Sequence, residues 1–428
     1  MVDTAPEVVE SVAGKNLGNE TQTPPEAVRV LTVSFILFTL FFAVWVMFGI
    51  IGLKMRKELG MSEGEFALLA AIPVLTGSVL RVPVGIITDR IGGRNMMIAL
   101  LLITALPTYL VSRIQTYEQA LILAFFIGMA GTSFAAGVAW VSAWYPPERK
   151  GFALGIFGLG NVGAALTGLL APVLLTLVAT GGILGGWIGG GWRFIPTMYA
   201  ILLVLSAAII PLLAPKPDRR PAEGRGLVEM LSPLKIARVW RFGFYYFTVF
   251  GGYVALTLWL PKYYVDVYGY ELRSAGLMTA LFIFPASLTR PIGGYVSDRA
   301  GARPVIAVAL VVMALALVLL STGLAITPFV IVVMVMAVAM GVGMASVYTY
   351  IPRYFGNDVG AVGGLVGALG ALGGFVLPLV FAYVKRDTGS PESTWLVLLA
   401  LVVLSMIMLA VAVMRLRAGA FRDEVDKG

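Results

Sequence analysis

Arg81–Arg94 reads RVPVGIITDRIGGR, and Arg290–Arg303, 209 positions later, reads RPIGGYVSDRAGAR. In each copy an arginine stands in an apolar run, four residues before a glycine (Gly85, Gly294) and eight before an Asp-Arg pair (Asp89-Arg90, Asp298-Arg299). Each copy ends on a further arginine, Arg94 or Arg303. The tail of the motif, Gly-x-x-x-Asp-Arg-x-Gly-x-Arg, is a charged turn that belongs at a membrane surface. Arg81 and Arg290 belong inside the membrane. An unpaired arginine in a membrane span costs roughly 3 to 10 kcal/mol or more and marks a functional site by default. Two of them, placed equivalently in a duplicated chain, point to an anion held between the halves.

Composition supports the membrane reading. Of 428 residues, 59% are hydrophobic and only 13% are charged, against about 25% charged in a soluble chain. The 50 glycines suit close helix packing in lipid. The formal charge of +8 does not call for nucleic acid, because the basic residues sit mainly in short loops, where they orient a membrane protein. Cys and His are both absent. That removes disulfides, thiolates, the commonest metal ligands and the commonest proton relay, so neither a cofactor nor a metal is expected.

Apolar runs of about 20 residues, enough to cross a bilayer as helices, occur twelve times and divide six and six around a polar stretch containing KPDRRPAEGRG. The expected organisation is a disordered tail over 1–27, a six-helix half over 28–213, a middle loop over 214–241, a second half over 242–415 and a tail over 416–428. The N-terminal stretch is polar and acidic, unlike a signal peptide. With the N-terminus inside, about twenty Lys and Arg fall on the cytoplasmic side and about nine outside, so both termini are expected in the cytoplasm. The 209-residue offset also relates Phe41 to Phe250, Tyr145 to Tyr354, Gly151 to Gly360, Gly155 to Gly364 and Gly158 to Gly367. Six-helix halves repeated in this way describe a rocking secondary transporter with its site at the midplane. The chain resembles the major facilitator superfamily over nearly its whole length, the duplicated Asp-Arg loop being that superfamily's signature.

Arg81 lies two helical turns before Asp89, roughly 12 Å inside the helix end, and Arg290 has the same depth. Snorkelling suits an arginine one turn from a helix end better than one two turns in. No Asp or Glu is expected beside either arginine: Asp89 and Asp298 fall in the turns, and the remaining acids fall in loops or at outer ends. A mobile anion is the missing partner.

Glycine-rich runs follow at corresponding places in the two halves. One contains Gly155, Gly158, Gly160, Asn161 and Gly163; the other contains Gly364, Gly367, Gly370, Gly373 and Gly374. Helix packing alone explains most single glycines there. Asn161 is different, because its amide needs partners in an apolar environment. With this block the resemblance narrows to the nitrate/nitrite porters (NarK-type), prokaryotic inner-membrane carriers with two such glycine signatures and one arginine on each of the second and eighth helices. Gly370 stands where the repeat would put a second Asn161, a departure from the pattern.

That resemblance implies nitrate and nitrite as substrates. It implies an anion site of Arg81, Arg290, Asn161, Phe134, Tyr246 and Phe250, with Gly158, Gly160, Gly367 and Gly370 around it. Gly85, Asp89, Arg90, Arg94, Gly294, Asp298, Arg299 and Arg303 would serve the conformational change. The chain is expected to need only the bilayer and its anions, and to work as a monomer. Exchange of nitrate for nitrite is favoured over proton symport, since no buried Asp, Glu or His is in view. A carrier of another small anion in the same fold is the nearest rival. A membrane enzyme would require a nucleophile, acid/base pair or metal.

Overall fold

A computed structural model of the protein describes residues 23–178, 181–183, 188–356 and 358–417. Most of the two expected tails, 1–22 and 418–428, therefore lies outside the described residues. The architecture is all-helical, apart from one isolated bridge between Ile183 and Ile188.

Twelve spans follow one another: α1 Pro25–Gly52, α2 Gly64–Val79 with Arg81–Ile91, α3 Gly93–Val111, α4 Tyr117–Trp144, α5 Pro147–Ala171 and α6 Gly191–Leu213, then α7 Ala237–Tyr268, α8 Ser274–Ala300, α9 Ala302–Leu320, α10 Ile326–Tyr354, α11 Val359–Thr388 and α12 Ser393–Arg415. The first helix begins at Pro25, inside the stretch read as a tail. The middle loop carries a short helix, Leu227–Leu231, before α7. α7 is 78% buried and central, whereas α12 is 28% buried and peripheral. Leu106, Val308 and Leu315 are exposed on the outside of the bundle, where lipid tails would cover them.

The helices are irregular where the site forms. α2 bends by 44° at Leu80, immediately before Arg81. α8 breaks at Thr289, immediately before Arg290. Pro83 and Pro291 lie just beyond these breaks and cannot donate to the preceding turn, which weakens the helix there. α5 tightens to a 3-10 turn at Leu159–Asn161. α7 widens to a π-turn at Phe247–Gly251, a distortion common at functional sites.

Two seams join the halves, α2 against α11 and α8 against α5. They obey the 209-residue repeat. Gly85 lies on the carbonyl of Gly360, and Gly294 lies on the carbonyl of Gly151; a Cβ at either Gly85 or Gly294 would collide with backbone. One turn further in, Gly155 faces the Arg290 carbonyl and Gly364 faces the Arg81 carbonyl. Glycine is required at these crossings because two backbones meet there. Both seams lie toward the face that carries both described chain ends.

The turn carboxylates depart from expectation. Asp89 is only 2% exposed, and its Oδ2 accepts from the Gly360 N–H at 2.8 Å. Asp298 accepts from the N–H groups of Gly151 at 3.0 Å and Phe152 at 2.8 Å. Both carboxylates, Asp89 buried where no buried acid was expected, thus latch onto the N-terminal turns of α11 and α5, where free N–H groups and the helix dipole favour an anion. Neighbouring arginines go elsewhere. Arg299 lies over the Tyr295 ring at 4.1 Å, Arg303 donates to the Tyr354 hydroxyl at 2.5 Å, and Arg94 donates to the Pro211 carbonyl. Arg90 is exposed.

Candidate functional site

Arg81 is 0% exposed and Arg290 is 1% exposed, so both are enclosed within the helix bundle. The guanidinium carbons lie 5.3 Å and 5.7 Å from the centroid of one ring, Phe134. The repeat therefore converges on a single aromatic, from α4. Arg81 is braced by carbonyls of both halves: its Nε donates to Gly131 at 2.9 Å and its Nη1 to Gly367 at 2.6 Å. Trp45 stands 5.4 Å from the same guanidinium. Arg290 has looser company, its Nη2 donating to the Tyr246 hydroxyl at 3.4 Å. Its Nε and Nη1 are buried without a protein acceptor.

The rings form a slot. Phe134 lies 6.2 Å from Tyr246 and 6.2 Å from Phe250, at interplanar angles of 13° and 8°. Tyr246 and Phe250 stack at 4.9 Å, on and beside the π-turn of α7. Flat faces from the two halves thus oppose one another beside two flat guanidiniums. Tyr348 of α10 closes an edge, with its ring perpendicular to Phe134 at 5.0 Å and its hydroxyl donating to the Gly363 carbonyl at 2.9 Å.

Asn161 is 0% exposed, and neither its Nδ2 nor its Oδ1 has a protein partner. A buried amide in that condition costs several kcal/mol in an apolar medium. The departure from the repeat at Gly370 has a steric reason, because a Cβ there would strike the Tyr246 ring. One half supplies an amide, and the other makes room for an aromatic. Gly158 lies against the Arg290 guanidinium, and Gly367 lies where a Cβ would collide with the Tyr348 hydroxyl and press on Arg81. Gly160 instead faces Phe38 and Thr39 of α1.

The site is cationic without a fixed counter-charge: among the described residues no Asp or Glu forms an ion pair with Arg81 or Arg290. No cluster able to hold a metal occurs among them either. Sequence reasoning missed Tyr348 and Trp45. The offset places Ala139 and Val254 opposite them in the repeat, so neither carried a duplicated signal.

The whole chain has counterparts among known proteins. It matches the Major Facilitator Superfamily over residues 33–277 and again over 271–424. A protein of Thermus thermophilus described as a probable nitrate/nitrite antiporter, NarK1, is 48% identical over 411 residues, covering 92% of this chain and 93% of that one. The nitrite extrusion protein of Bacillus subtilis is 30% identical over 352 residues, covering 81% and 85%. In fold, the chain is similar to the human organic anion transporter MFSD10, with a TM-score of 0.73 at 17% identity, over 90% of this chain and 100% of that one. With two matched arginines, two glycine signatures and near-complete coverage by such relatives, this chain belongs to the nitrate/nitrite porters of the major facilitator superfamily.

Proposed function

We propose that the protein carries nitrate and nitrite across the cytoplasmic membrane by alternating access, exchanging one for the other. The observation that carries this reading is the pairing of two buried guanidiniums, without a carboxylate, on one ring of a parallel aromatic slot. Nitrate is flat, singly charged and delocalised. A guanidinium offers parallel donors in a plane that match two adjacent oxygens. Near-parallel rings favour a thin ion, since a thicker tetrahedral sulfate or phosphate would need them to part further from their 6.2 Å separation. Nitrite is equally flat and fits the same space.

Each group has a role in that reading. Arg290, with two donors unassigned, takes the anion most directly, and the Asn161 amide completes its shell. Arg81 presents the opposing charge, held in place by Gly131 and Gly367. Phe134, Tyr246, Phe250 and Tyr348 shape the slot. Asp89 and Asp298 hold the seams on one face, and these seams part when the halves rock. Both termini are cytoplasmic in this assignment, in line with the bias of Lys and Arg. One chain supplies every group named, so a single copy suffices.

The electrostatics favour a carrier that moves loaded. At a separation of about 8 Å and an effective dielectric near 20, two guanidiniums repel by about 2 kcal/mol. Closing an empty site is then disfavoured roughly thirty-fold. A bound anion cancels this term and lets the halves close. The direct test is uptake of labelled nitrate into proteoliposomes with competing anions. Nitrite should compete strongly, whereas sulfate and phosphate should not. Competition by sulfate equal to that by nitrite would remove the flat-ion reading.

A further inference from the structure

The face that carries the chain ends holds a second cationic feature, remote from the slot. Arg238 and Arg241 at the start of α7, Arg303 at the start of α9, and Tyr245, Tyr350 and Tyr354 line a cleft closed by α12. Among the described residues no Asp or Glu lines it. Tyr354 is its pivot, accepting from Arg303 at 2.5 Å and lying under Arg238 at 4.8 Å. Phe242 stacks on Tyr350 at 4.7 Å and forms the floor. Tyr245 is 1% exposed and its hydroxyl has no protein partner. A buried phenol left unpaired beside three arginines is a second and independent sign of a ligand position.

Comparison with the other half sharpens the point. The repeat relates Arg29, Arg94 and Tyr145 to Arg238, Arg303 and Tyr354, but it places Thr32 and Ile36 where the C-terminal half has Arg241 and Tyr245. The N-terminal half also has its own anion nearby. Asp218 of the middle loop accepts from the Arg94 N–H at 2.9 Å and from the indole N–H groups of Trp140 at 2.9 Å and Trp144 at 3.3 Å. The C-terminal half has gained an arginine and a phenol, and among the described residues it has no such carboxylate.

We propose that this cleft binds a phosphate-bearing anion at the bilayer surface, namely the headgroup phosphate of an anionic phospholipid. The cleft has a volume of about 20 Å³, room for roughly one oxygen-sized group. One phosphate oxygen enters toward the Tyr245 hydroxyl, which donates to it. The remaining oxygens stay at the mouth with Arg238, Arg241 and Arg303, and the acyl chains run down the apolar outside of α12. Basic pockets between helix ends at a membrane surface recognise such headgroups, each arginine contributing about 1 kcal/mol.

The test is native mass spectrometry of the intact transporter released from phosphatidylglycerol and from phosphatidylcholine nanodiscs. Wild type should retain phosphatidylglycerol and not phosphatidylcholine. Arg241→Gln should lower the retained fraction about fivefold, and the double variant Arg238→Gln/Arg241→Gln further, at about fivefold per arginine. Tyr245→Phe, which removes only the hydroxyl, should give a smaller loss. Arg29→Gln, in the other half, should change nothing. Equal retention of the two lipids, an equal loss in Arg29→Gln, or full retention by the double variant would each overturn the proposal. So would thermal stabilisation of lipid-free wild type by inorganic phosphate that the double variant lacks, which would assign the cleft to a free anion. Retention of phosphatidylglycerol that appears only after deletion of residues 418–428, which include Asp423, Glu424 and Asp426, would make the tail the occupant and overturn it too.

Discussion

Asp89 of α2 accepts a 2.8 Å hydrogen bond from the backbone N–H of Gly360, which begins α11 in the opposite half. The same relation, moved by the repeat, joins Asp298 to Gly151. Both carboxylates therefore hold one half to the other across a seam whose glycine carbonyls leave no space for a Cβ. Opening this face of the transporter must break both bonds and expose the carboxylates to a new environment.

Asp89→Asn and Asp298→Asn retain an acceptor oxygen but lose the charge that strengthens a hydrogen bond to a helix end. A charge-assisted bond exceeds a neutral one by about 1 kcal/mol or more, so the closed seam should weaken roughly five- to tenfold. Maximal transport rate should fall several-fold while half-saturation for nitrate changes less than twofold, as read from initial rates in proteoliposomes. A large loss of affinity at unchanged maximal rate would place these carboxylates in binding instead.

Arg81→Lys and Arg290→Lys should each reduce nitrate uptake at least about a hundredfold while leaving the protein monodisperse and folded. Lysine keeps the charge and loses the planar fork. At position 81 it also cannot reach the Gly131 and Gly367 carbonyls together, so the cation would no longer be fixed beside Phe134. Uptake at the wild-type rate by either variant would remove the guanidinium pair from the mechanism.

Asn161→Ala separates binding from stability. The amide has no protein partner, so deleting it should leave the melting temperature unchanged or slightly higher, since an unsatisfied buried group is removed. Half-saturation for nitrate should rise about tenfold, equivalent to roughly 1.4 kcal/mol, the worth of a hydrogen bond to a charged ligand. A lower melting temperature with unchanged transport would make Asn161 a packing residue.

The repeated motif made the fold and the arginine pair readable, because duplication supplies an internal comparison that a single occurrence lacks. Asn161 stood out for a different reason: an amide inside a glycine run needs polar partners in an apolar environment. What stayed hidden follows from the same logic. Tyr348 has Ala139 as its counterpart and no motif around it in α10, so its place at the edge of the slot depends on tertiary packing alone. The partners of Asp89 and Asp298 were not legible because backbone N–H groups carry no residue identity. Gly160 was drawn into the site by its neighbours in the run, although the 3-10 turn at Leu159–Asn161 points it toward α1.

Coupling is the sharpest remaining test of the site's electrostatics. Proteoliposomes preloaded with nitrite should take up labelled nitrate, and the rate should fall to near background when the interior holds no transported anion. An inward proton gradient should not restore it. The reason is that Arg81 and Arg290 face one ring with no carboxylate paired to either among the described residues, so return of the empty carrier must bring two uncompensated cations together. At about 2 kcal/mol of repulsion the return step slows roughly thirty-fold, and only an anion on the far side removes that penalty. Because nitrate and nitrite carry the same charge, one-for-one exchange should also be indifferent to an imposed membrane potential. Net nitrate accumulation driven by protons alone, with no internal anion, would overturn exchange and require a proton carrier, for which the Asp89 carboxylate, buried at the seam where the sequence showed no buried acid, would be the first position to substitute.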